Sequence, residues 1–111
     1  MKAEVYCQNI PNMKNADTIT KQKIEKYLDI TKRAIAKARI VAPEPSYAHK
    51  IALDFMKMAK SYYSDAFHFY EKGDYINAFA SVNYAHGWLD AGARLGVFDV
   101  DRDSKLFTLA E

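Results

Sequence analysis

Apolar residues recur at helical spacing along three long stretches of this chain, with polar breaks between them. The least polar stretch is Gly73 to Gly96, GDYINAFASVNYAHGWLDAGARLG. With successive residues about 100° apart on a helix, Ala78, Val82, Ala85, Leu89 and Ala93 share one face. Tyr84, Trp88, Ala91 and Leu95 form a second stripe. Two apolar faces predict a nearly buried helix with two sets of neighbours. A narrow polar ridge lies between them, made of Asn83, Asp90 and Arg94 with His86 at its margin.

The stretch that begins near Asp17 or Thr18 and runs to about Val41 is amphipathic. Either residue suits an N-cap, because a short side-chain oxygen accepts from amides that the first turn leaves unpaired. Ile24, Tyr27, Leu28, Thr31, Ala34, Ile35 and Ala38 keep to one side, and Lys26, Asp29, Arg33 and Lys37 to the other. Ala42-Pro43-Glu44-Pro45-Ser46 ends this helix, since each proline removes an amide donor and disfavours helical geometry just before it. Ser46 then caps a second helix, Tyr47 to about Lys72. Its stripe of Ile51, Phe55, Tyr62, Ala66 and Phe69 is broadened by Ala52, Met56, Ala59, Tyr63 and Tyr70 to nearly half the circumference. Gly73 supplies a left-handed terminus and Asp74 a cap for the third helix, so the second and third form a tight antiparallel hairpin. Alanines 52, 59 and 66 against 78, 85 and 93 let the two helices approach closely.

The pattern therefore predicts an all-α fold, an antiparallel three-helix up-down-up bundle with breaks at about 42–46 and 72–74 and no strand between 18 and 95. Residues 1–16 read as an irregular arm in which Val5 and Tyr6 dock on the body, and 17–111 as a single domain. After Gly96, the segment VFDVDRDSKLFTLAE predicts a short turn or helix, with Val97, Phe98, Leu106, Phe107 and Leu109 folding back.

Composition narrows the function classes. At 111 residues, half of them hydrophobic, the chain buries a core without disulfides or structural metal. Its one cysteine, Cys7, fits a reducing compartment. No apolar run approaches the length of about 20 residues that a membrane span needs, and the first residues lack a signal peptide's apolar middle, so a soluble cytoplasmic protein is expected. Net charge is only +2, from 16 basic and 14 acidic residues, which is not the footprint of a dedicated nucleic-acid binder.

Ala66-Phe67-His68-Phe69-Tyr70-Glu71-Lys72-Gly73-Asp74-Tyr75 resembles the junction of a tetratricopeptide repeat, but no second copy follows at a spacing of about 34 residues. A longer likeness runs from Tyr62-Tyr63-Ser64-Asp65-Ala66 through Glu71-Lys72-Gly73-Asp74-Tyr75 to Tyr84-Ala85-His86-Gly87-Trp88-Leu89-Asp90-Ala91-Gly92. There the chain resembles a family of small archaeal helical proteins of unknown function. That resemblance implies an all-helical cytoplasmic archaeal protein and brings no activity, ligand or catalytic residue.

Candidate chemistry is sparse. Asp65-x-x-His68 and Asn83-x-x-His86 are incomplete versions of the carboxylate-histidine pairs of di-metal bundles, because one carboxylate is an asparagine and facing glutamates are missing. Asp99-x-Asp101-x-Asp103 opens like a calcium loop, but Ser104 stands where the turn glycine belongs and Ala110 where the bidentate glutamate belongs. These aspartates read as caps and turn formers. Cys7 has no neighbouring base. No cofactor, metal or catalytic residue is expected. The leading expectation is a protein-interaction or self-associating module, with Tyr63, Tyr84, Trp88 and Leu95 at its interface and a second copy or another protein as partner. The alternative is an enzyme or a nucleotide- or nucleic-acid-related accessory protein whose ligand sits on Asn83, His86, Asp90 and Arg94. In that reading Arg94 pairs with an anion. Otherwise the four residues make a structural seam in which Asp90 pairs with Arg94 and accepts from His86.

Overall fold

The structure, a computed structural model, describes residues 18–107. The expected arm, Cys7, a cap at Asp17 and the packing of Leu109 lie outside the described residues. Among those described there are three α-helices, α1 (Lys21–Lys37), α2 (Tyr47–Glu71) and α3 (Tyr75–Leu95). Two short strands, β1 (Arg39–Ile40) and β2 (Phe98–Asp99), pair antiparallel with Arg39 opposite Asp99 and Ile40 opposite Phe98. The all-α three-helix bundle expected from the hydrophobic pattern is the observed fold, and the α2/α3 hairpin is its most extensive contact.

The ends of the elements follow from their capping residues. Thr20, rather than Thr18, caps α1, its Oγ1 accepting from Lys23 N at 3.1 Å. Ser46 caps α2 by accepting from His49 N at 3.1 Å. Gly73 adopts φ 78°, its N–H donates to Tyr70 O at 3.0 Å, and Asp74 N donates to Phe69 O at 2.9 Å, which satisfies carbonyls the last turn would leave open. Asp74 then caps α3 through Asn77 N. The hairpin loop is accordingly as short as the glycine-aspartate pair predicts.

The structure departs from the hydrophobic pattern at the end of α1 and in the strand that follows it. α1 stops at Lys37 rather than near Val41, because Ala38 turns extended (φ −70°, ψ 125°) and Arg39–Ile40 spend their backbone groups on the C-terminal segment. The expectation of no strand between 18 and 95 therefore fails at these two residues. The pattern misleads here because Ala38 still falls on the inward line, and the competing partner, Phe98–Asp99, is nearly 60 residues downstream. Arg39 Nη2 closes the ribbon, reaching Asp99 Oδ2 at 2.6 Å and Asp101 Oδ1 at 3.0 Å.

The core has two clusters. Ile24, Leu28, Ala66, Ala78 and Val82 form one, near the α2/α3 loop. Ala34, Ala52, Ala59, Leu89, Val97, Phe98, Val100 and Phe107 form the other, which the C-terminal segment seals from above. Ala52, Ala59 and Ala66 on α2, with Ala78 and Ala85 on α3, are wholly buried, so the hairpin packs on small side chains as expected. Full burial of a residue such as Ile24 or Leu89 stabilises the fold by about 1.5–3 kcal/mol.

Candidate functional site

The polar ridge of α3 faces α1, and His86 is its centre. The Leu106 carbonyl lies 2.6 Å from His86 Nε2. A carbonyl only accepts, so Nε2 carries the proton. On the other side Thr31 Oγ1 stands 3.0 Å from Nδ1, and in the neutral ring the Thr31 hydroxyl donates to it. One imidazole thus ties α1, α3 and the C-terminal segment together. Asp90 Oδ1 is 3.7 Å from Nε2, an electrostatic neighbour beyond hydrogen-bonding distance. The expected His86–Asp90 hydrogen bond is therefore replaced by one to the Leu106 carbonyl. A donor already aimed at a backbone oxygen from a distant segment is something helical spacing does not reveal.

Beside this seam a cleft of about 210 Å³ opens between α1 and α3, lined by Tyr27, Ile30, Thr31, Asn83, His86, Gly87 and Asp90. Three of the four ridge residues thus share one cavity. Arg94, exposed at the far end of the row, is outside that lining. Among the described residues Thr31 is the buried polar one, 2 % exposed. A polar residue on the inward face of α1 was the sequence signal that something across the bundle must meet it. Ile30 and Gly87, by contrast, gave no sign of belonging here.

A second surface adjoins the cleft at Gly87 and continues onto the α2 side of α3. Phe55 and Trp88 pack edge to face at 5.1 Å between ring centroids, Trp88 and Tyr84 at 6.1 Å, and Tyr84 and Tyr62 at 4.5 Å. These four rings make a ladder across the α2/α3 hairpin. An apolar groove of about 290 Å³ runs along it, lined by Tyr84, Gly87, Trp88 and Ala91. Tyr84 and Leu95 are 52 % and 59 % exposed. Trp88 is half-buried, and its Nε1 is buried without a hydrogen-bond partner among the described residues. Tyr63 lies elsewhere. It packs on the cluster of Ile24, Leu28 and Val82, and burial first, then the Asp29 charge, raises its hydroxyl pKa. Tyr62, which sequence reasoning placed in the helix's apolar stripe, takes the position beside Tyr84.

The remaining candidates have structural work. His49 Nδ1 donates to Ala42 O at 2.9 Å and so pins the proline loop. Asp99 Oδ1 accepts from Asp101 N, and Asp103 Oδ1 from Lys105 N and Leu106 N, as expected of turn formers. The backbone bond from Asp101, with the Arg39 guanidinium, holds the Asp99 carboxyl below its usual range. His68 is exposed. Among the described residues no three His, Cys, Asp or Glu side chains converge on a point that would hold a metal ion, and no helix is long and apolar enough to cross a membrane.

A family model described as "Protein of unknown function (DUF357)" matches residues 26–98. The match begins five residues into α1 and ends at Phe98, the first residue of β2, and the chain belongs to that family. No curated protein and no solved structure matches it.

Proposed function

We propose that this member of the DUF357 family is a non-catalytic interaction module whose partner is a second copy of itself, docked on the aromatic ladder of α2 and α3. The observation that carries the reading is the row Tyr84, Gly87, Trp88, Ala91 and Leu95, which alternates large and small side chains around an open apolar groove. Reversed in direction, the row reads almost the same. Two copies of α3 laid antiparallel about a two-fold axis would set Tyr84 of one against Leu95 of the other and Trp88 against Ala91. This is the self-complementarity that an isologous interface requires. Exposed apolar area concentrated in this way is costly for a monomer and is relieved by association. A cytoplasmic setting fits the same reading.

Catalysis or nucleotide binding on the ridge has less support. Both nitrogens of His86 are engaged, at 3.0 and 2.6 Å, which leaves the ring no free position for proton transfer to a substrate. Asp90 is the single formally charged side chain in the cleft lining, and a carboxylate repels phosphate.

Light scattering across a concentration series tests the proposal. The expected result is a dimer whose dissociation is promoted by Leu95→Lys and by Trp88→Glu, the first at an exposed site where folding is unaffected. A monomer at every concentration would overturn self-association and leave a different protein as the occupant of this face.

A further inference from the structure

We propose that the cleft between α1 and α3 is a binding site for a primary-amine cation carried on a short aliphatic stem. This site opens on the α1 side of α3 and meets the aromatic face at Gly87, which lines both. At about 210 Å³ the cleft falls below the roughly 300–1,000 Å³ of pockets for drug-sized ligands, so it suits one side chain or a small free amine.

Its chemistry is asymmetric. The Asp90 carboxylate supplies the one formal charge of the lining, and Asn83 an amide oxygen one helical turn away from His86. Ile30 and the Tyr27 ring provide apolar and aromatic wall for a methylene stem and for a cation near an aromatic face. A carboxylate accepts up to about four hydrogen bonds, so engagement of Asp90 elsewhere in the fold does not exhaust it. His86 does not compete for the ligand, because its Nε2 proton is committed to the Leu106 carbonyl. It holds the cleft floor rigid instead.

Gly87 is the second, independent observation. It sits inside α3 with ordinary helical geometry, and a β-carbon built there meets nothing within 4 Å. Within one copy neither backbone conformation nor packing calls for glycine, yet an interior helical glycine weakens a helix relative to alanine. Its effect is to leave the cleft mouth open, since Gly87 is exposed and lines the cavity.

The test is an amide-resonance titration of the full chain with 1,4-diaminobutane and, separately, with Nα-acetyl-lysinamide; succinate serves as the anionic control. Saturable shifts at Thr31, Asn83, Gly87 and Asp90, absent with succinate, are expected. Tighter binding of the diamine assigns a free amine as the ligand, and tighter binding of the lysine derivative a protein lysine. Asp90→Asn should weaken binding at least about tenfold, the loss of one charge-assisted hydrogen bond. Gly87→Leu, whose β-carbon meets nothing of the core, should abolish it even where Asp90→Asn perturbs the fold, when it is compared with the Gly87 parent in the Leu95→Lys background so that self-association does not enter. Absence of saturable shifts with both amines, shifts confined to Asp99, Asp101 and Asp103, or unchanged affinity in Gly87→Leu would overturn the assignment.

Discussion

The ring of Phe98 lies across the backbone of Gly92 so closely that a β-carbon at position 92 would stand 2.3 Å from both Cδ2 and Cε2. The contact joins α3 to β2 and lets Phe98 enter the upper core at 3 % exposure. Gly92→Ala should therefore destabilise the protein by about 1–3 kcal/mol, the usual cost of forcing extra carbon into a packed site, as read from urea melts. Gly87→Ala, five residues earlier on the same helix, should do the reverse. Its β-carbon meets open space, so a gain of up to about 1 kcal/mol is expected from helix propensity alone. Equal effects at the two positions would contradict this packing of Phe98.

Thr31 and His86 provide a second test. Thr31→Val keeps the shape of the side chain and removes the hydroxyl that meets Nδ1. The ring nitrogen left without its donor should cost about 1–3 kcal/mol. Nitrogen NMR of the imidazole should show the Nε2–H tautomer in the native protein. A ring protonated at Nδ1 alone would contradict the bond to Leu106.

Alkaline pH probes the contact between α1 and the end of α2. The Tyr70 hydroxyl donates to the Glu25 carboxylate, and that bond, aided by burial and the Glu25 charge, pushes the phenol from 10.0 up to about 12. A raised folded-state pKa means that the stabilisation is complete below pH 10 and is lost as the pH climbs through about 12. The melting temperature of the native protein, taken relative to Tyr70→Phe, should fall across that window. A difference that stays flat from pH 8 to 12 would mean that the hydrogen bond does not form in solution.

The bundle was legible because its signals are local. Ser46, Gly73 and Asp74 mark helix ends with their own side chains or backbone, and the alanine spacing of the hairpin is a property of each helix by itself. What escaped was set by residues far apart in the chain. The last residues of the α1 pattern join Phe98–Asp99, and His86 bonds to Leu106 rather than to Asp90 one turn away. The cleft was half legible. Its α3 wall was readable as a polar line between apolar stripes, but which of those residues share a cavity depends on α1, which supplies Tyr27, Ile30 and Thr31. Tyr63 shows the same limit, since helical spacing alone does not say which of two adjacent tyrosines turns toward the α1 side.

The most direct test of self-association is a mixed-label experiment that asks which residues of two copies meet. A nitroxide is attached at Leu95→Cys in an unlabelled chain carrying Cys7→Ser, and that chain is mixed with nitrogen-15-labelled native protein. The antiparallel pairing predicts that the nitroxide of one copy broadens the amides of Tyr84, Gly87 and Trp88 in the other, and that Tyr84→Lys in the labelled copy removes the effect. Broadening centred instead on the outer face of α1, or no intermolecular broadening at any concentration, would contradict the proposed interface.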